Sequence, residues 1–146
     1  MPSLYDPARR REILARLEAL RPGTPARWGK FDAPKMVNHL IESFRMASGE
    51  LVPRPKAFPL AAVIKFLAIR VLPFPKGAPT ARELLVRVPE SWDADLATLR
   101  ARIEEFKQPA PGTAMPPHPA FGPMSIADWG LLGYKHTNHH FRQFGI

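Results

Sequence analysis

Residues Ser125-Ile126-Ala127-Asp128-Trp129-Gly130-Leu131-Leu132-Gly133-Tyr134-Lys135-His136-Thr137-Asn138-His139-His140-Phe141-Arg142-Gln143 begin with a helix-start signal and end among histidines. Ser125 can accept from the backbone three residues on, and Asp128 can return a bond to the cap, Asp standing where a capping box more often has Glu or Gln. Trp129, Leu132, His136 and His140 then recur at helical spacing, so the stretch reads as one helix. His136 and His140 are four apart and lie on one face, about 5 to 6 Å apart between Cβ atoms, where two imidazoles can chelate one ion. A third ligand has to come from another element, and His39 is the first candidate.

Three more helices follow from the same kind of signal. Asp6-Pro7 is a cap followed by proline at the first helical position, and Ile13, Leu14, Leu17 and Leu20 continue at helical spacing to Pro22-Gly23. Asp32-Ala33-Pro34 repeats the signal ahead of Met36, Val37, Leu40, Ile41 and Phe44, ending at Gly49; this helix carries His39. Ser91 caps a run through Trp92, Leu96, Leu99, Ile103 and Phe106, with Asp93 and Asp95 near its start and Lys107 at its end, as the helix dipole prefers. Four principal helices of roughly 15 to 19 residues make an all-α four-helix bundle.

Between the second and third bundle helices lies a long connection with prolines at 53, 55, 59, 73, 75, 79 and 89. It should be irregular except for one inserted helix, Phe58 to Leu72, expected to pack, with a surface-lying amphipathic helix, flanked by basic residues, as the alternative. That stretch is shorter than the roughly 20 residues needed to cross a bilayer and contains Lys65 and Arg70, so no membrane span is expected. Val86-Arg87-Val88 is too short to found a sheet, and Gln108 to Pro123 is too rich in proline and glycine for regular structure. Trp28, Trp92 and Trp129, each near a helix start, are assigned to the core.

With 146 residues, 45% of them hydrophobic, the chain suits a single domain over residues 1–146. It has no cysteine, which excludes disulfides, thiolate metal sites and a cysteine nucleophile, and leaves imidazole or oxygen as metal ligands. Nothing after Met1 reads as a secretory leader, so a cytoplasmic location is expected. The net charge of +8 favours anions, but the basic residues are dispersed and not interleaved with aromatics, so no specific nucleic-acid partner is expected. A salt-sensitive anion or nucleic-acid binder remains one rival reading. Another is a non-catalytic bundle whose histidines pack or meet a partner.

His39, among Met36, Leu40 and Ile41, faces inward either as a hydrogen-bonded core histidine or as a ligand. His139 is turned about 100° from His140, so it pairs less readily with the same ion and becomes a neighbour of the site, an interface residue or a surface residue. His136 with His139 is the competing chelating pair. Glu42, one turn after His39, is a general base, an acceptor for a ligand, or a solvent-facing helix charge. Gln143 orients His140 or a metal-bound water, or caps the chain end. Tyr134 reads as packing, and His118 as lining a pocket or a dimer contact.

The ending His136-x-x-x-His140-Phe141-Arg142-Gln143 is similar to the His-x-x-x-His-x-x-Gln ending of the DinB/YfiT-like superfamily, and Trp28-Gly29-Lys30-Phe31 through His39-Leu40 resembles its second-helix histidine segment. His118-Pro119-Ala120-Phe121-Gly122, Trp129-Gly130 and the block Tyr134 to Gly145 resemble one DinB-like branch, a domain of unknown function, and Pro79-Thr80-Ala81 matches loosely. The resemblance implies a bundle in which His39, His136 and His140 hold one divalent ion, in keeping with the preference for the His136/His140 pair. It also implies activation of a low-molecular-weight thiol for transfer, as in some members. Three imidazoles suit Zn²⁺, Ni²⁺ or Fe²⁺ with open positions, where a bound water or thiol becomes more acidic. The expected function is therefore that of a metal-dependent thiol transferase or hydrolase acting on a small molecule, in a chain that can also form a homodimer.

Overall fold

In a computed structural model of the protein, residues 1–56, 59–77 and 80–146 are described. Among the described residues five α-helices follow in order: α1 Pro7–Leu17, α2 Ala33–Ser48, α3 Ala61–Phe66, α4 Trp92–Glu105 and α5 Ile126–Gln143. No strand occurs among the described residues, whose one isolated β-bridge joins His118 and Gly122. The fold is all-α. Val86 to Val88 belong to no strand.

The start signals work locally. Asp6 accepts from Ala8 N–H, Asp32 from Lys35 N–H and Ser91 from Ala94 N–H, each occupying a donor that the first helical turn leaves free. Ser125 and Asp128 form a full capping box, with Ser125 N–H donating to Asp128 at 3.1 Å and Asp128 N–H to Ser125 Oγ at 3.1 Å. Asp128 also pairs with Arg70 at 2.7 Å. Ser125→Ala should therefore cost about 1 kcal/mol, a melting-temperature drop of about 3 °C by calorimetry; no drop would mean that Asp128 alone holds the helix start.

Two lengths depart from the expectation. α1 has 11 residues, because the chain tightens after Leu17 through Ala19 N–H to Arg16 and Leu20 N–H to Leu17; Leu20 is buried from a turn and not from a helix. α4 has 14 residues and ends at Glu105, so Arg102, and not Lys107, is the cation of its last turn.

α4 touches α1 and α2, and α5 touches the same two, so α1 lies diagonally across the bundle from α2. Ile13, Leu17, Met36, Val37, Leu40, Leu99, Ile103 and Phe141 form the main core, each fully buried. A second apolar cluster of Met46, Ile69, Leu84, Trp129 and Leu132 lies toward the long connection. At Gly130 the N-terminal segment crosses α5, Leu4 N–H donating to Gly130 O at 2.9 Å; a Cβ there would meet Tyr5 at 2.4 Å. Trp129 is buried as expected, Trp92 only partly so against the main core, and Trp28 is half-buried and lines a cavity instead of joining either core cluster.

The connection departs most. The expected start at Phe58 lies outside the described residues, as does Pro79. From Ala61 the chain is helical to Phe66 and continues as a π-helical turn to Val71, where Leu72 becomes extended ahead of Pro73. Instead of packing all round, this segment buries only Ile69 and leaves Val63, Phe66, Val71 and Leu72 more than half exposed. It is tied down by polar bonds: Arg70 to Asp128, and Lys135 Nζ to the carbonyls of Ala68 and Leu72. Among the described residues no helix is long and apolar enough to cross a membrane.

Candidate metal centre

His39 projects from the middle of α2, and His136 and His140 from successive turns of α5. Their Nε2 atoms converge: that of His136 lies 3.0 Å from His39 Nε2 and 3.1 Å from His140 Nε2. The three could hold one ion, their ligand atoms all lying within 4.8 Å of one another.

The far side of two rings settles their tautomers. His39 Nδ1 faces Leu84 O at 3.3 Å, and His140 Nδ1 faces Gln143 Oε1 at 2.8 Å. Both partners only accept, so each Nδ1 carries the proton and each Nε2 presents a lone pair. Gln143 cannot flip its amide without loss, because its Nε2 donates to Trp28 O at 2.7 Å. The turn at Gly29 admits this side chain: with φ at +81°, a Cβ there would stand 2.6 Å from Gln143 Nε2. His136 Nε2 thus faces two lone pairs and can donate a proton to only one of them. A cation satisfies all three nitrogens, and rings sharing one tetrahedral ion place them about 3.3 Å apart.

Burial keeps the imidazoles neutral. It pushes His39 down to about 4 and His140 down to about 3, and it holds His136 well below its ordinary value, with its histidine neighbours adding to the effect. Phe31 packs 5.3 Å from His39 and 5.7 Å from His140, and Phe74 stacks on His136 at 5.3 Å, both thinning water around the nitrogens. Neutral nitrogen ligands without thiolate or carboxylate suit a borderline divalent ion such as Zn²⁺, Ni²⁺ or Fe²⁺ better than Mg²⁺ or Ca²⁺.

The triad forms part of the wall of a cavity of about 840 Å³, within the range that admits small ligands. Leu40, Phe44, Leu84, Phe106, Trp129 and Leu132 make much of its surface, so it lies between the two apolar clusters. His139 lines it too, packed against Phe74 at 5.3 Å and edge-on to Trp28 at 5.9 Å. His118 lines it from the 108–123 loop, stacked on Phe121 at 4.3 Å.

Glu42 is buried and not solvent-facing, and it lines no part of the cavity. Arg45 binds it at 2.9 Å, and Arg87 stands 4.0 Å away in a network that also links Asn38 to Asp95 at 3.0 Å. The carboxylate thus braces α2 against the connection and α4. Tyr134 packs with its hydroxyl donating to Glu12 at 3.2 Å, away from the cavity. The sequence reading missed Phe74, Leu84 O and Trp28 O. A backbone acceptor has no residue signature, and a phenylalanine in a proline-rich connection looks like any other apolar residue.

A family described as "Protein of unknown function (DUF1569)" matches residues 8–145. No curated protein and no solved structure matches the chain.

Proposed function

The chain belongs to that family, and we propose that it is a metal-dependent enzyme acting on a small molecule, with His39, His136 and His140 as the ligands of one divalent ion. The observation that carries this reading is the convergence of three neutral Nε2 atoms on the wall of an apolar cavity. A purely structural histidine cluster has no need of adjoining space for a ligand. The finer reading, membership of the DinB-like superfamily and use of a low-molecular-weight thiol, is supported by the His136-x-x-x-His140-x-x-Gln143 ending and its union with His39 from the second helix.

A divalent ion bound here would supply a Lewis acid that makes a coordinated water or thiol acidic near neutral pH. The chain's own residues prepare for it. Leu84 O and Gln143 hold two imidazoles in the metal-binding tautomer, and Phe31 and Phe74 limit water. The largely apolar walls of the cavity favour an apolar substrate. No carboxylate lines it among the described residues, so the imidazoles beside the triad that could move a proton are those of His118 and His139.

The test is metal content per chain on protein purified without a histidine tag. It is followed by assays of thiol transfer to an alkyl or aryl halide and of ester hydrolysis, with His136→Ala as control. About one ion and a rate absent from the variant are expected. An ion without any rate above the variant would leave a metal-binding bundle and sink the enzyme reading. Gln143→Ala should weaken Zn²⁺ binding by roughly 10- to 100-fold in competition with a chromophoric chelator, because His140 loses the bond that holds its tautomer. Unchanged affinity would show that Gln143 does not orient the ligand.

A further inference from the structure

His118 occupies the cavity wall in an unusual state of readiness. Residues His118 and Gly122 exchange both backbone hydrogen bonds at 2.8 Å, closing a five-residue loop, and inside it Ala120 N–H donates to His118 Nδ1 at 3.1 Å. Nδ1 is therefore the acceptor, and the proton of the neutral ring sits on Nε2. Stacking on Phe121, with the planes 17° apart, and a contact with Trp129 at 5.9 Å hold the ring in place. Burial lowers its pKa to about 4, which keeps the ring neutral at physiological pH.

Nε2–H has no protein partner among the described residues and is not fully buried, on a residue that lines the cavity. A fixed donor without a protein acceptor, in a wall that is largely apolar, suits an acceptor on a ligand. Charge narrows the class. Lys30 and Lys56 line the cavity, and Lys56 is drawn to the His118 loop by its backbone N–H, which donates to Pro119 O at 2.8 Å. No Asp or Glu lines the cavity among the described residues.

We infer that the cavity binds an apolar organic anion, with His118 Nε2–H donating to its anionic oxygen and the apolar clusters enclosing its body. This inference deepens the enzymatic reading by naming a substrate class, and it rests on that reading only for the location of the reaction. His118 is the residue that selects and orients the anionic end.

The experiment uses 4-phenylbutyrate and 4-phenylbutylamine, which share one apolar body and carry opposite charges. Binding is measured by calorimetry on metal-free and on Zn²⁺-loaded protein, with His118→Phe and His118→Gln variants. The carboxylate should bind at least about tenfold more tightly than the amine in both forms. His118→Phe should weaken carboxylate binding by roughly tenfold or more, and His118→Gln, which keeps an N–H near the position of Nε2, should retain most of the affinity. Equal binding of the two probes, binding of neither, an unaltered His118→Phe, or equal losses in both variants would overturn the inference. Should the phenylalanine variant fail to fold, the two probes and the glutamine variant decide. Metal content separates the two readings: a bound ion with no probe affinity sinks this inference alone, and selective probe binding by a chain that takes up no ion sinks the metal site alone.

Discussion

Saturation with Zn²⁺ should raise the melting temperature of the metal-free chain by roughly 10 °C, and His136→Ala should abolish both the rise and the bound ion. The size follows from mass action. A ligand that binds only the folded state at about 1,000 times its dissociation constant adds about 4 kcal/mol, and each kcal/mol is worth about 2 to 4 °C in a chain of this length. His136 is the decisive position because its Nε2 faces the other two nitrogens at 3.0 and 3.1 Å, so its loss leaves no common point for an ion. His39→Ala and His140→Ala should behave alike, whereas His139→Ala should keep the ion. That contrast also decides between the two histidine pairs possible on α5. A shift that survives His136→Ala, or that His139→Ala removes equally, would sink the site.

The metal-free protein should lose about 4 kcal/mol of stability between pH 7 and pH 5 from His39 and His140 alone. Burial lowers their folded-state pKa values to about 4 and about 3, against an ordinary value of about 6.5 in an unfolded chain. Below pH 6.5 the unfolded chain takes up protons that the folded chain refuses, so stability is full above that pH and is lost as pH falls toward 4 and 3. At pH 5 the difference is about 1.5 units for each ring, or about 2 kcal/mol apiece. Urea unfolding in the presence of a chelator at the two pH values measures this, and His39→Gln should make the profile shallower. A flat profile would mean that the rings are hydrated or already charged in the folded state. Metal should deepen the dependence, because protons compete for the same nitrogens.

The helix starts were legible because a cap is a local event. Asp6, Asp32, Ser91 and Ser125 each act on a backbone N–H two or three residues ahead, so the order of residues suffices to place them. Helix ends were read less well where tertiary packing intervenes. Leu20 keeps the apolar rhythm of α1 yet reaches the core from a turn. The Phe58 to Leu72 stretch has the composition of a buried helix, but its described part, from Ala61 to Leu72, is held at the surface by Arg70, Asp128 and Lys135, charges that the apolar pattern does not register.

At the site, spacing along one helix was enough to pair His136 with His140. Joining His39 to them across 97 residues of sequence is a result of packing α2 against α5, which periodicity alone does not specify. Glu42 shows the limit from the other side: one turn from His39 on the same helix, it points into an arginine network that only the placement of Arg87 reveals. The amino-acid order by itself determined the helices, the histidine pair and the kind of ligand available, because these depend on short-range geometry and side-chain chemistry. The tertiary structure brought His39, already the candidate, to that pair, and it alone decided the tautomers, the neutrality of the rings and the cavity. Each of these depends on which distant atoms exclude water or accept a proton.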